Sequence, residues 1–517
     1  MVDAREYHER TKHSPATLRD DSFSLDFDTK PRPYKLYDDR QRVSVEASAK
    51  PPETPALSAV ATPTATPGGG DATTRLDATE LYTLCHYATG VTKELERQGR
   101  RMRFRAAACT GKLYHVDCYA VTGDLGAFGP GVYHFDPDSG SFDVLREGDY
   151  RGVLARAAAG HEAVATAPVT FVATSEWWRN AWKYRERTYR HAFWDSGTVL
   201  ANLLAVAHGS GRRAVVVTGF ADDPVARLLG VDPETEAPLE LVPVGSGAPV
   251  PDDRAVDALD PTVVPPSSET VAYPLVPDAW RQSRLDDPAA VSTWRARAVA
   301  AEGAFGTHGR GDGEAVALDP VDAETASSRP VGVTIERRGS LREYSHDPIS
   351  SRLVATVLDR ALGGLPMDPV DPLGAGSVGR LLDCYCLVLG VDGVPSGAYQ
   401  FHPDTDVLER IGDTSRRTAG HLALDQPVVG DAAVNVYLAA DVDRIVETLG
   451  NRGYRVAQLA GGLALGRLYL ATYAHRALGG RGFTFYDDRV TDHLSPRAAN
   501  QTPMTLFAFG TPPGERE

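Results

Sequence analysis

The chain repeats itself. Residues 187–203 read RTYRHAFWDSGTVLANL and residues 452–468 read RGYRVAQLAGGLALGRL, an offset of 265. At that offset Arg187 pairs with Arg452, Tyr189 with Tyr454, Arg190 with Arg455 and Gly197 with Gly462. Phe220-Ala-Asp-Asp likewise meets Phe485-Tyr-Asp-Asp. Nearer the start of each copy the offset is 266: Asp117-Cys-Tyr against Asp383-Cys-Tyr, and Tyr133-His-Phe-Asp-Pro-Asp against Tyr399-Gln-Phe-His-Pro-Asp. A period this long excludes solenoids and propellers, whose units run ~20–50 residues. It implies two similar domains in one chain, able to build one site between them and to lose the other.

The 517 residues fit two such domains, and 42% hydrophobic content supplies real cores. A net charge of −15 argues against nucleic acid as a partner. There are seven lysines, and none follows Lys183. Acid excess with scarce lysine fits a salt-adapted or GC-rich source, and composition drift explains it equally well. The five cysteines show no metal-ligand spacing and no even disulfide framework, so no metal is expected. Cys384 and Cys386 alternate along an expected strand, which points both into a core. The start, MVDAREYHER, has no apolar signal segment. No run approaches the ~18–20 apolar residues of a membrane span. A soluble, cytoplasmic protein without membrane partners is expected.

The pattern divides the chain into a lead with a Pro/Thr/Gly-rich stretch (1–74), copy one (75–245), an inter-copy linker (246–330) and copy two (331–511). Residues 51–74 read as a flexible loop or lid, and 303–328 as a mobile tail. Asp77 with Glu80 marks a helix start. Strands are expected at 118–122, 169–173 and 214–218, and 131–140 reads as a strand running into a turn. One long, buried helix is expected from Arg179 to about His208, and a further helix over 294–301. The class is α+β: a mostly antiparallel sheet with helices packed on it, built twice.

Three segments carry residues suited to chemistry. Arg338, Ser340 and Arg342 place two guanidinium forks and a hydroxyl close together, a donor set for phosphate. Lys183, Arg187 and Arg190 fall on one helix face, and Tyr184 beside them offers a hydroxyl for proton transfer. In Cys109-Thr110-Gly111-Lys112-Leu113-Tyr114-His115, glycine allows close backbone approach to a flat ligand. By spacing alone each has an ordinary reading as well: a solvated basic segment, a charged helix end and a turn before a strand.

Taken in order, these pieces resemble the SagB-type dehydrogenases, nitroreductase-like flavoproteins known for oxidising azolines to azoles in peptides. Tyr7-His-Glu-Arg-Thr-Lys-His13 and Arg32-Pro-Tyr-Lys35 look like the family's N-terminal lead. Cys109–His115 resembles its Ser-Ala-Gly-Ala-Leu-Tyr-Pro segment, and Lys183-Tyr184 with Arg187-Thr-Tyr-Arg190 its Lys-Tyr-Gly-x-Arg-x-Tyr-Arg motif. Gly219-Phe220 through Asp232 resembles its closing segment. Arg338-Gly-Ser340-Leu-Arg342-Glu-Tyr344 resembles its FMN-phosphate signature, Arg-Arg-Ser-x-Arg-x-Phe.

The resemblance implies a nitroreductase-like fold duplicated as an intrachain pseudo-dimer, with FMN as cofactor. It implies that Arg338, Ser340 and Arg342 hold the phosphate and that Cys109, Thr110, Gly111, Arg187 and Arg190 contact the cofactor. Lys183 and Tyr184 would be catalytic, with Lys183 lowering the pKa of Tyr184. Copy one has Cys109, Lys112 and His115 where the family has Ser, Ala and Pro, and lacks the phosphate signature. Copy two lacks the Lys-Tyr pair and has Gly374-Ala-Gly-Ser-Val-Gly-Arg380 in place of the Leu-Tyr-Pro-like segment. One composite flavin site follows, acting on a small-molecule or peptide substrate. Two other readings stay open: an NAD(P)H-dependent nitroreductase or flavin reductase, and a flavin-less scaffold for a peptide-modifying assembly. Further homodimerisation is also open.

Overall fold

The computed structural model describes residues 2–46, 48–61, 75–97, 99–126, 128–301, 305–322, 329–368 and 381–514. Two antiparallel sheets form its halves. The first orders its strands Arg42–Val43, Ser141–Glu147, Gly131–Asp136, Val116–Thr122, Val169–Glu176 and Glu236–Val244. The second runs Ala315–Ala317, Val407–Gly412, Gly397–His402, Asp383–Val388, Val434–Ala440, Thr502–Gly510 and Gly479–Phe483. Five successive strands keep the same spatial order in both, so the repeat read in the letters is a repeat of topology. Val169–Glu176 is buried along nearly its whole length and paired on both sides, as its β-branched run predicts. Cys384 and Cys386 both face a core, with sulfurs 4.0 Å apart.

The halves are joined by their longest helices, Thr188–Gly209 and Asn451–Ala474, which cross at the centre of the molecule. A Cβ on Gly197 would lie 2.3 Å from the carbonyl carbon of Gly462, and one on Gly462 would lie 2.3 Å from the Phe193 oxygen. Glycine inside a helix costs about 1 kcal/mol. Here it lets the backbones touch, and residues matched by the repeat meet at a pseudo-twofold axis. Tyr189 and Tyr454, also matched, stack with centroids 6.5 Å apart.

Several expectations are corrected. The helix expected from Arg179 to His208 is broken: Trp177–Tyr184 ends at Arg185, whose φ is +50°, and a short 3-10 turn leads into Thr188–Gly209. Residues 214–218 form only isolated bridges, Ala214 with Val244, Val216 with Met367 and Val217 with Leu241. The 51–74 stretch is not all loop, since Ala56–Val60 is a helix that buries Ala56, Leu57, Ala59 and Val60; residues 62–74 lie outside the described residues. Nor is the segment before copy two a loose tail. Ala315–Ala317 adds an edge strand to the second sheet, and Phe305 is buried. Residues 303–304, 323–328 and the stretch Gly374–Arg380 lie outside the described residues.

The lead is also structural. Helix Ala4–Arg10, capped by Asp3, inserts Tyr7 and His8 between the halves. Tyr7 donates to the Glu186 carbonyl at 2.6 Å, and His8 bonds Tyr454 and Thr502 at 3.1 and 3.0 Å. Among the described residues no helix is long and apolar enough to cross a membrane.

Candidate active site

The turn Thr110–Lys112 is built from unusual backbone. Gly111, Lys112 and Tyr114 have φ of +63°, +61° and +51°. Glycine tolerates this region; the two larger residues are held in it by their surroundings. Asp195, from the long helix of copy one, fastens the turn. It accepts from the Thr110 N–H at 3.0 Å, the Thr110 hydroxyl at 2.7 Å and the Cys109 thiol at 3.0 Å. His115 Nε2 lies 2.9 Å from the same carboxylate, and its Nδ1 lies 2.8 Å from Ser175 Oγ. Two of the residues that depart from the resembled segment, Cys109 and His115, therefore converge on one acid. Cys109, His115 and Asp195 also form a set of metal-ligand types within 4.8 Å of one another, which no sequence spacing marks. Their hydrogen bonds to one another satisfy them without an ion.

Cys109 and Thr110 are the residues expected to contact a cofactor; in the fold the Cys109 thiol and the Thr110 N–H and hydroxyl all bond Asp195. Burial and then Asp195 push the Cys109 thiol well above its ordinary pKa, so it stays protonated and unreactive. Gly111 remains the point of close approach. A Cβ there would lie 2.7 Å from the Tyr184 hydroxyl, so the turn and the end of helix Trp177–Tyr184 are in contact.

Tyr184 packs edge-on to His191, centroids 4.6 Å apart. Its pKa is raised, first by burial and then by Asp195 and Cys109, while Arg481 opposes. The expectation that Lys183 lowers it is overturned: desolvation and an anion outweigh the cations. Tyr184 is a proton donor at neutral pH. Lys183 is exposed, its Nζ 5.1 Å from the Tyr184 ring centroid. Its pKa is lowered by partial burial, Arg481 and Lys30.

Arg187 and Arg190 do not join Lys183 on one face, because the break at Arg185 turns them inward. Arg190 donates to Asp487 at 2.6 Å and to the His8 carbonyl at 2.7 Å. Arg187 reaches Asp487 at 3.3 Å and the Thr11 carbonyl. The matched residues do the same in reverse: Arg452 and Arg455 each donate to Asp222 at 2.8 Å. These are reciprocal clasps between the halves, as an isologous interface demands. Burial opposes ionisation of Asp487, but Arg187 and Arg190 hold it below the usual carboxylate range. Asp195, Asp222 and Asp487 are the residues that motif reading missed. The last two were findable, since the repeat preserves both aspartates along with both arginine pairs.

From copy two, helix Val331–Arg337 delivers Arg338 across the seam. Its Nε donates to the Ala106 carbonyl at 3.0 Å and its Nη2 to that of Arg105 at 3.1 Å. Those carbonyls lie just before the Cys109 turn. Ser340 and Arg342 are exposed beside it. Tyr473 and Arg481 line the same seam: Tyr473 donates to the Gly480 carbonyl at 3.0 Å and would sit 3.4 Å from a Cβ on Gly339. Arg338 of copy two thus lies against the segment of copy one that leads into the Cys109 turn, whose Gly111 meets Tyr184. The donors fit a flavin phosphate: Arg338 Nη1 makes no hydrogen bond among the described residues, and Ser340 and Arg342 are open to solvent. The cavity beside Cys109 and Tyr114, about 10 Å³, has room for about one water.

Residues 99–246 match the nitroreductase family model. A putative nitroreductase of Methanocaldococcus jannaschii is 27% identical over 166 residues, 32% of this chain and 79% of that protein. A putative nitroreductase structure from Anabaena variabilis matches 99% of this chain and 100% of its own, with TM-score 0.75 and 22% identity, so the fold is shared through both halves. A putative nitroreductase of Desulfovibrio desulfuricans, solved in complex with FMN, is 16% identical over 37% of this chain and 93% of its own, with TM-score 0.25. Residues 99–246 are thus similar to the nitroreductase family, and the two halves of the chain together have the nitroreductase-like α+β fold.

Proposed function

We propose that this chain is an FMN-dependent oxidoreductase with one composite flavin site in the seam between its copies. The observation that carries this is the reach of Arg338 from copy two onto the 105–106 carbonyls of copy one, next to the Gly111–Tyr184 contact. The mirror-related site would lack the equipment. At the 265-residue offset Lys183 and Tyr184 correspond to Thr448 and Leu449, and the sequence before the first long helix of copy one is the Pro/Thr/Gly-rich stretch 55–74, where copy two has Arg338, Ser340 and Arg342.

Bound FMN supplies two-electron, hydride-transferring chemistry. The residues supply the rest. Arg338, Ser340 and Arg342 grip the phosphate through charge-assisted hydrogen bonds. Gly111 gives the ring backbone to lie against. Lys183 and Arg481 set positive charge beside it, which favours an electron-rich reduced state. Tyr184, kept protonated, donates a proton or hydrogen bond to the substrate. The resemblance to SagB-type enzymes supports an azoline-like or other small heterocyclic substrate; general nitro or quinone reduction uses the same residues. A flavin-less scaffold is the competing reading, favoured by the donors of Cys109 and Thr110 being turned to Asp195.

The test is the visible spectrum of the purified, unheated protein at high salt, with released flavin counted per chain. About one FMN per chain supports the composite site. Two per chain means the mirror site is also live. A colourless protein that FMN does not reconstitute moves the reading to the scaffold.

A further inference from the structure

In a chain of charge −15 lysine is scarce, with seven in all. Lys12 meets Glu9 and Asp488, and Lys35 meets Glu236. Of the lysines with no ion pair among the described residues, three lie near one another beside the Gly111–Tyr184 contact. Lys183 ends the helix that carries Tyr184. Lys112 follows Gly111, which touches Tyr184. Lys30 comes from the lead, where residues 26–30 pack on Trp182, one position before Lys183. The Trp182 Nε1 donates to the Asp26 carbonyl at 2.8 Å, Phe27 meets the indole edge-on at 5.6 Å, and Lys30 Nζ lies 5.9 Å from the ring. Arg481 enters from copy two.

All three lysines are exposed, and among the described residues none of the four cations has a carboxylate at ion-pair distance. All three ammonium groups lie over aromatic rings, Lys30 by Trp182, Lys183 by Tyr184 and Lys112 3.6 Å from the Phe104 centroid. That contact holds them in place without neutralising them. The charges acting on them are of one sign: Lys183 feels Arg481 and Lys30, and Lys112 feels Lys30. Like charges gathered without counter-charge repel, and a bound anion would relieve the repulsion. The flavin phosphate, if present, is assigned to Arg338, Ser340 and Arg342, which leaves the lysines over.

We propose that Lys30 and Lys112 form an anion subsite at the mouth of the seam, holding the carboxylate of an acidic substrate whose reactive end lies against Tyr184. The inference deepens the oxidoreductase reading and rests on it for the word substrate. Tyr184, partly exposed beside the cations, suits a flat or aromatic body on that anion.

The test uses the full-length protein, loaded with FMN where it takes FMN up, and an isosteric pair of probes, benzoate and benzamide. Titration calorimetry reads binding with or without flavin. The expected result is benzoate binding roughly tenfold more tightly than benzamide at low salt, a preference that shrinks in 1 M salt. Lys30→Met/Lys112→Met should remove most of that preference while FMN content and thermal midpoint stay unchanged; Lys112→Met alone should remove part of it. Equal binding of the two probes, no binding of either, or a preference intact in the double variant overturns the proposal. So does loss of FMN from that variant, which would make the lysines cofactor ligands. A protein that takes up no FMN yet shows the lysine-dependent preference keeps the subsite and loses the oxidoreductase reading.

Discussion

Gly197 and Gly462 meet backbone to backbone where the long helices of the two halves cross, with only 2.3 Å between a Cβ built on the first and the carbonyl carbon of the second. Gly197→Ala forces the helices apart along their whole contact. We expect a loss of about 3 kcal/mol or more, read as a lower denaturation midpoint. Gly412→Ala, where a Cβ meets nothing within 4 Å, serves as control and should be near neutral.

Asp487 is shared by Arg187 and Arg190 in a fully buried site. Asp487→Asn leaves two guanidinium groups without their counter-charge and should cost about 3–5 kcal/mol. Because Asp487 is held below the ordinary carboxylate range, its contribution is present above pH about 4 and is lost as pH falls toward its folded value. Denaturation curves between pH 3 and 7 should show wild type losing its advantage over the variant at the acid end.

Glu240 is fully buried and accepts from Ser196 at 3.0 Å, while its other oxygen has no partner. Burial pushes its pKa up to about 8. An acid that keeps its proton when folded but loses it when unfolded weakens the fold as pH climbs from about 4.3 to about 8. Glu240→Gln removes the ionisation. It should therefore raise stability by a few kcal/mol, on the order of 1.4 per pKa unit, at pH 8 and by little at pH 4. Thermal midpoints across that window check it.

Tyr184→Phe and Lys183→Ala should each lower turnover by about 100-fold with flavin content unchanged. Arg338→Ala should instead weaken FMN affinity by roughly tenfold or more. Turnover unchanged in the first two, with flavin retained, removes their catalytic assignment.

Asp195 holds Cys109 protonated and the Thr110 turn in place. Asp195→Asn removes the negative charge that raises the thiol, so Cys109 should be alkylated faster than in wild type. Mass-spectrometric labelling rates at pH 8 read this directly.

The duplication and its strands were legible because matched letters and alternating apolar residues report local geometry. The Asp77 cap and the Cys384/Cys386 core strand are of this kind. Arg187 and Arg190 misled because helical spacing assumes an unbroken helix, and the left-handed residue at Arg185 carries no glycine to announce it. Asp195 was hidden inside an apolar helix, and only tertiary contact reveals that Cys109, Thr110 and His115 share it. The expected direction of the Tyr184 shift differed for a related reason: adjacency in sequence shows the Lys183 cation, while the decisive burial and the Asp195 anion come from elsewhere in the fold.

In a dimer of identical chains every substitution is written twice, once on each side of the axis. Here matching positions hold different residues, Lys183 against Thr448 and Asp195 against Ala460, while the arginines and aspartates of the two clasps keep the same letters in both halves. The covalent link has released the clefts from mirroring one another but not the seam that joins them. Copy one was free to hold Cys109, Lys112 and His115 where the same offset gives Gly374, Ser377 and Arg380, with no echo across the axis.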